Sequence, residues 1–356
     1  MSLPNHATNK GTARYRERFA GRAANNHFRM RESLQLSSIG IGTYLGNADE
    51  ATDQRYTDAV VRAVQLGVNV IDSAANYRFQ RSERSIGDAL KVLTREHGFA
   101  REELLICTKG GYLPFNGAPS RDVHHYIDET FIEPGIASFE DFVGGSHCMT
   151  PAYLQSQLDQ SLKNLGIDTV DVYYIHNPES QLEYVMEAEF YHRLQDAFER
   201  LEENRHSGKL RYYGVATWNG FRTPANSHEH HSLARMVELA RQIGGGDHGF
   251  RFIQLPFNLA MPEAISVAQE ANELGVTVIA SASLFQARLA HGLPEQIRVP
   301  LGRLKTDAQT ALQFVRSAPG ITTGLVGMSS VEHVEENLEL VQVEPVDQRS
   351  FAQLFV

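Results

Sequence analysis

The chain has 356 residues, of which 42% are hydrophobic and 21% charged, an ordinary composition for a folded protein. This composition excludes a largely disordered chain and a collagen-like one. No apolar run approaches the ~20 residues of a membrane span, so no membrane association is expected. The formal net charge of −10 argues against general nucleic-acid binding.

The first 31 residues differ from the rest in charge, because they carry seven basic residues and a single acid, Glu17. We interpret residues 1–27 as a basic N-terminal extension held against an acidic body. A mitochondrial-type transit peptide is the alternative. Asparagine and proline disfavour one continuous helix here, at Pro4, Asn5, Asn9, Asn25 and Asn26. The expected apolar anchors are Tyr15, Phe19 and Phe28.

The two cysteines, Cys107 and Cys148, exclude a disulfide framework and indicate a reducing compartment. No apolar segment follows the start of the chain, so secretion is not expected. The sequence therefore predicts a cytoplasmic protein.

Short apolar runs alternate with longer helical patterns between residues 38 and 341. The predicted strands are Ile39–Thr43, Val68–Asp72, Leu104–Thr108, Val170–Ile175, Leu210–Val215, Phe252–Leu255, Val276–Ala280 and Thr322–Val326. The predicted helices lie near 52–66, 82–94, 151–165, 186–206, 231–242, 262–274, 305–317 and 330–341. Eight strand–helix units imply a parallel sheet, and eight is the number that closes a (β/α)₈ TIM barrel. We predict this barrel within residues 28–356.

Additions to the barrel are expected at three places. A small hairpin is predicted from Phe28–Met30 and Leu34–Leu36, before the first barrel strand. About 40 residues follow the third strand, where ordinary loops take about 2–6. This aromatic 110–150 loop is interpreted as a lid or substrate wall, with a decorative insertion as the alternative. A second long loop spans roughly 281–304.

Polar residues follow three consecutive strands, on the face where barrel enzymes place catalysis. Asp72, Lys109 and His176 stand at these strand ends, with Tyr77 in the loop beyond Asp72. Adding hydride to a carbonyl builds negative charge on oxygen and requires a proton donor. A free tyrosine has a pKa of about 10, and a nearby ammonium lowers it by stabilising the phenolate. We expect Lys109 to do this and His176 to assist at the carbonyl oxygen.

Several segments together resemble the aldo-keto reductase superfamily over residues 36–341. The segments that carry this resemblance are Gly42–Gly46, Gly67–Ala74 with Tyr77, Ser82-Glu83, Cys107–Lys109, Ser161-Leu162, Asp171–His176, Gly208–Val215, Gln254–Asn258 and Glu336-Asn337. The resemblance implies a metal-free barrel that interconverts carbonyls and alcohols with NADPH, sometimes NADH. It also implies the catalytic residues Asp72, Tyr77, Lys109 and His176, with Tyr77 as the acid/base.

The same resemblance implies a set of cofactor-binding residues. These are Thr43, Tyr44, Asp72, Thr217, Gln254, Ser283, Leu284, Gln286, Arg288, Gly327, Ser329, His333, Glu336 and Asn337. The sequence departs from the family pattern at three places. Ala216-Thr217 replaces Ser-Asn, Ser281 replaces a stacking aromatic residue, and His333 replaces an Arg or Gln. NADP is the expected cofactor, and NAD is the alternative.

The predicted function is a nicotinamide-dependent oxidoreductase acting on a small carbonyl or alcohol. Alternatives are a sugar (aldose) dehydrogenase and a non-enzymatic, cofactor-sensing subunit like channel β-subunits. A metal-dependent barrel hydrolase is a third, motivated only by the cluster His228–His231, which lies outside the strand ends. The substrate and the oligomeric state are left open.

Overall fold

The computed structural model describes residues 6–355. Met1–Asn5 and Val356 lie outside the described residues, and so does the prediction made for Pro4 and Asn5. Eight parallel strands close into a barrel, each bonded to the next along the chain and the last to the first. Before them, β1 (Phe28–Arg31) and β2 (Leu34–Ser37) form the predicted hairpin. The barrel strands are β3 (Ile39–Gly42), β4 (Val70–Asp72), β5 (Leu105–Gly110), β6 (Val170–His176), β7 (Leu210–Ala216), β8 (Phe250–Pro256), β9 (Thr277–Ser281) and β10 (Ile321–Gly327). The predicted (β/α)₈ barrel is confirmed.

The helices of residues 6–355 include all eight that were predicted, seven between barrel strands and the eighth after β10. In chain order they are α1 (Asn9–Glu17), α2 (Glu50–Gln65), α3 (Arg81–Glu96), α4 (Val123–Ile127), α5 (Pro151–Leu165), α6 (Glu187–His206), α7 (Leu233–Gly244), α8 (Ile265–Glu273), α9 (Glu295–Arg298), α10 (Asp307–Ser317), α11 (Val331–Leu338) and α12 (Gln348–Ala352). Helix α5 shows why such boundaries are readable. It begins with Pro151, whose missing N–H costs nothing in a first turn, and ends at Gly166 in the left-handed conformation.

The barrel interior is filled by side chains, and its N-terminal end is closed by the hairpin and the segment before α1. Leu34, Leu36 and Ala7 are fully buried in one cluster with the inward residues of the strands. The Ala7 N–H donates to Asp171 Oδ1 at 2.6 Å. Function is therefore left to the opposite face, at the carboxyl ends of the strands.

The basic extension packs onto the barrel through α1, a nine-residue helix that was not predicted. Tyr15 and Phe19 are 0% and 5% exposed, as expected of anchors, while Phe28 is partly buried. The Tyr15 hydroxyl donates to the Val64 and Val68 carbonyls at 2.6 and 2.9 Å. Arg14 pairs with the buried Glu103 at 2.6 Å. Tertiary contacts thus stabilise a helix that the local sequence disfavours.

The 110–150 loop contains α4 and a small hydrophobic core of its own. That core comprises Leu113, Ile127, Phe131, Phe142 and Cys148 with Tyr153 of α5. The two ends of the loop pair with each other, since Leu113 N–H donates to Ser146 at 2.8 Å and Cys148 N–H donates to Gly111 at 2.9 Å. The loop therefore has the core expected of an insertion, and its paired ends lie beside the strand-end residues.

None of the helices in residues 6–355 combines the length and apolarity needed to cross a bilayer.

Candidate active site

The four residues expected to act together are brought together at the carboxyl ends of β4, β5 and β6. Asp72 and His176 are the last residues of β4 and β6, and Lys109 is the penultimate residue of β5. Their side chains are buried, with 3%, 9% and 1% of each residue exposed in that order. Tyr77 is partly exposed in the loop after β4.

Asp72 holds Lys109 in place. The Lys109 Nζ lies 2.5 Å from Asp72 Oδ2 and donates to the Ser73 carbonyl at 2.7 Å. The other Asp72 oxygen accepts from Gln254 Nε2 at 2.8 Å. Burial alone would lower the pKa of Lys109, but Asp72 and Tyr77 outweigh it and raise that pKa. Lys109 is therefore a fixed positive charge at neutral pH.

The Tyr77 ring lies between Lys109 and His176. Lys109 Nζ is 4.8 Å from the ring centroid, and the His176 ring is 5.7 Å away at 75°. Burial raises the pKa of Tyr77, and Lys109 opposes that shift without cancelling it. Lys109 thus acts on this pKa in the expected direction, but desolvation of the phenolate outweighs the ammonium and the net shift is upward. Tyr77 is a neutral phenol and can donate a proton.

His176 is held as a neutral imidazole. Burial, Lys109 and His147 lower its pKa well below the usual histidine value. Its Nδ1 is buried, and no protein group in residues 6–355 hydrogen-bonds to either ring nitrogen. A neutral imidazole keeps one N–H and can donate it to a carbonyl oxygen.

The backbone after Tyr77 makes a left-handed turn of three residues. Arg78, Phe79 and Gln80 have φ of 47°, 59° and 69°, which is costly for residues with side chains. The turn is tied down by the Arg78–Asp53 ion pair at 2.5 Å and by Gln80 Nε2, which donates to the Phe115 carbonyl at 3.2 Å. This turn sets the direction in which α3 leaves the site.

Some of the expected cofactor residues are already engaged within the protein. The Thr43 hydroxyl donates to Ser73 Oγ at 3.0 Å, and Gln254 Nε2 is used by Asp72. The Thr43 carbonyl also accepts from Ser82 Oγ at 2.7 Å, whereas Gln254 keeps its Oε1 and its second Nε2 hydrogen for a ligand. Tyr44 is 55% exposed, and its ring packs at a tilt of 58° against the Tyr77 ring, with the centroids 4.9 Å apart.

Three other expected cofactor residues have buried polar atoms that no described protein group satisfies. These atoms are Thr217 Oγ1, Ser283 Oγ and Asn337 Oδ1. Buried polar groups are normally hydrogen-bonded, so the residues present fit a polar ligand such as a dinucleotide. Gln286, Arg288, Gly327, His333 and Glu336 are exposed, while Leu284 and Ser329 are partly buried. Ser330, not among the predicted residues, caps α11 by accepting from His333 N–H.

Glu179 is a site residue that the sequence reasoning missed. Its Oε1 accepts the N–H groups of Trp218, Asn219 and Gly220 at 2.5, 2.9 and 3.4 Å. These three residues follow Thr217 in the loop after β7. An acidic residue three positions beyond His176 was the available signal. Glu179 therefore connects the loop after His176 to the loop that carries Thr217, an expected cofactor residue.

The histidine cluster does not form a metal site. Among residues 6–355 no group of three or more His, Cys, Asp or Glu side chains is placed to hold a metal. His231 is buried and stacks on Phe190 with centroids 5.0 Å apart. The hydrolase alternative loses its only motivation.

A closed barrel with a buried Lys–Asp pair, a phenol and an imidazole at its strand ends is the arrangement expected of a carbonyl oxidoreductase. Residues 38–290 match the family model described as "Aldo/keto reductase family". The chain belongs to the aldo/keto reductase family, and the predicted enzyme class, an NAD(P)H-dependent oxidoreductase, is confirmed.

Curated relatives are similar over most of the chain. An L-glyceraldehyde 3-phosphate reductase of Escherichia coli O157:H7 is 25% identical over 342 residues, covering 87% of this chain and 85% of the relative. A putative voltage-gated potassium channel subunit beta of Schizosaccharomyces pombe is 24% identical over 346 residues, covering 88% and 86%.

Solved structures share the fold. The holo form of an aldo-keto reductase from Bacillus halodurans superimposes with a TM-score of 0.65 at 19% identity, over 92% of this chain and 96% of that one. An aldo/keto reductase from Klebsiella pneumoniae, in complex with NADP and acetate, gives 0.62 at 21%, over 93% and 94%.

Proposed function

We propose that this protein is an NADPH-dependent carbonyl reductase in which Tyr77 donates the proton. The observation that carries the proposal is the placement of the charged Lys109 beside a neutral Tyr77 phenol. Asp72 and the Ser73 carbonyl hold the ammonium at 2.5 and 2.7 Å, and its Nζ lies 4.8 Å from the Tyr77 ring centroid. This arrangement has its proton donor and its compensating charge in place before substrate arrives.

When bound, the nicotinamide would supply the hydride for the carbonyl carbon. Tyr77 and His176 hydrogen-bond the carbonyl oxygen, and Tyr77 transfers its hydroxyl proton as negative charge develops there. The product is an alcohol, and the phenolate left on Tyr77 is stabilised by Lys109 until it takes a proton from solvent. In the opposite direction the same phenolate is the base that deprotonates an alcohol. Neutral His176 suits the donor role because it carries an N–H without adding charge to the site.

The cofactor is proposed to lie across the carboxyl ends of β7 to β10. In this proposal Gln254 Oε1 and the Thr217 hydroxyl bind the nicotinamide carboxamide, which is supported by the unsatisfied, buried Thr217 Oγ1. Ser283 and Arg288 offer donors for the pyrophosphate, and His333 with Asn337 for the adenosine end. NADPH is supported by the Klebsiella neighbour, which holds NADP. NADH remains the alternative, since one Escherichia coli relative, 25% identical over 189 residues, is an NADH-specific methylglyoxal reductase.

A fluorescence titration with NADPH and NADH, followed by turnover on aldehydes, ketones and aldoses, tests this proposal. Tyr77→Phe is expected to lose about 10²–10⁴-fold in kcat with NADPH binding retained. A Phe variant with wild-type kcat would refute the assignment of the proton donor. Assays in both directions separate a reductase from a sugar dehydrogenase.

A cofactor-sensing subunit is the second candidate, favoured by the similarity to the potassium channel subunit of Schizosaccharomyces pombe. NADPH binding without steady-state turnover on any carbonyl of the panel would support it. Robust turnover would exclude it.

A cytoplasmic location is supported by the two buried, unpaired cysteines.

A further inference from the structure

We infer that His147, at the end of the 110–150 loop, is a positioning residue that orients His176. This inference rests on the proposed function, because it assigns a role relative to the proposed donor to the carbonyl oxygen. His147 is 1% exposed and donates through Nε2 to the His176 carbonyl at 2.8 Å.

A chain of hydrogen bonds fixes the tautomer of His147. Arg193 can only donate, so its Nη1, 2.8 Å away, requires the oxygen of the Gln181 amide to face it. The amide nitrogen then points to His147 Nδ1 at 2.8 Å and makes that atom an acceptor. The ring proton must therefore sit on Nε2, where it is donated to His176. Burial lowers the pKa of His147 to about 4, which agrees with a neutral ring.

His176 depends on such outside support because no described protein group hydrogen-bonds to its ring. Its backbone is held on one side by β7, since Asn177 N–H donates to the Ala216 carbonyl at 2.6 Å. His147 holds it on the other side. The ring of Tyr112 packs edge-on against both imidazoles, 5.1 Å from His176 and 5.0 Å from His147. Both His147 and Tyr112 come from the ends of the loop.

Gly111 shows how closely these parts fit. It has φ of 138°, and a Cβ placed on it would lie 2.9 Å from His147 Nε2 and 3.2 Å from the His176 carbonyl oxygen. Only glycine allows this three-way contact. The paired ends of the loop thus brace His176, a role distinct from the lid or substrate wall predicted for the 110–150 loop.

Three variants test the proposal in the full-length protein. His147→Leu removes both hydrogen bonds, whereas His147→Gln retains a donor near the position of Nε2. His125→Gln is the matched control, because His125 is on the same loop with 63% of its side chain exposed. The measurements are kcat, KM for the carbonyl, the Kd for NADPH, the melting temperature, and the NMR shifts of the His176 ring.

His147→Leu is expected to lower kcat about tenfold to a hundredfold with a nearly unchanged Kd for NADPH, since misplacement by about 1 Å costs that much. His147→Gln should recover a substantial part of kcat, and His125→Gln should match the wild type. Equal losses in the Leu and Gln variants, or a parallel loss of NADPH binding, would overturn the proposal.

The NMR readout separates this proposal from the proposed function. If the wild type reduces no carbonyl, the proposed function fails, and the His176 ring shifts still report on positioning. If the chemical shifts of the His176 ring change in His147→Leu but not in His125→Gln, they support the role of His147. Unchanged His176 shifts in His147→Leu refute it.

Discussion

Histidine 27 should make the folded protein sensitive to mild acid. It lies directly before the hairpin and is fully buried, with Nε2 2.9 Å from the Gly67 carbonyl and Nδ1 3.2 Å from Ser38 Oγ. Burial, and then Arg316, lower its pKa to about 3. The unfolded chain has an ordinary histidine with a pKa of about 6.5. Below that pH the unfolded state gains a proton that the folded state cannot accept, so stability falls as the pH is lowered.

The size of this effect follows from the two pKa values. Each pH unit between them is worth about 1.4 kcal/mol, so lowering the pH from 7 to 5 should cost about 2 kcal/mol through His27. His147, with a pKa of about 4, acts in the same window and adds to the wild-type dependence. His27→Gln keeps a donor for Gly67 but cannot take up a proton. The variant should therefore lose about 2 kcal/mol less than the wild type over this pH range.

Urea unfolding at pH 7 and pH 5, followed by the fluorescence of the single tryptophan, Trp218, measures the difference. His97→Gln is the control, because His97 is exposed at the end of α3. Parallel pH dependences in the wild type and His27→Gln would refute the reasoning, whatever the absolute stabilities.

Three further changes have defined outcomes. Lys109→Met should destabilise the fold by about 3–5 kcal/mol in thermal unfolding, because Asp72 is left buried and unpaired. Adding Asp72→Asn should restore part of the lost stability, and a double variant no more stable than Lys109→Met would contradict this. Glu179→Ala should raise the Kd for NADPH about tenfold, since three N–H groups beside Thr217 lose their charged acceptor. An unchanged Kd in the NADPH fluorescence titration would count against the role of Glu179. His333→Arg should shift binding toward NADPH over NADH about tenfold, because the arginine is a permanently charged partner for the 2′-phosphate. An unchanged ratio of the Kd values for NADPH and NADH would place the phosphate elsewhere.

The barrel could be predicted because each strand is a short buried run followed by an amphipathic helix. The predicted ends of all eight strands lie within two residues of those observed, as for β6, predicted at 170–175 and found at Val170–His176. Helix α1 could not be predicted in this way. Its stability comes from Tyr15 and Phe19 buried against the barrel and from Arg14 paired with Glu103, and no local pattern encodes these contacts.

In the site, too, some residues could be predicted from the sequence and others could not. Asp72, Lys109 and His176 were predictable because parallel strands bring their carboxyl ends to one face. His147 and Glu179 act through backbone groups 29 and 39 to 41 residues away, and no spacing along the chain reveals such contacts. The direction of the Tyr77 pKa shift also needed the structure, because it depends on whether burial or Lys109 dominates.

The raised pKa of Tyr77 predicts different pH dependences for the two directions of reaction. Reduction needs the protonated phenol, which persists beyond the ordinary tyrosine pKa of about 10, so kcat/KM for a carbonyl should stay level from pH 6 to 9. Oxidation needs the phenolate, whose fraction grows about tenfold per pH unit below the pKa, so its rate should rise steeply over the same range. His176 adds no step here, because its pKa is well below its usual value. Initial rates with saturating cofactor in both directions measure this. A kcat/KM for reduction that falls between pH 6 and 9 would mean either that bound cofactor lowers the Tyr77 pKa or that another group donates the proton. The activity of Tyr77→Phe distinguishes these two explanations.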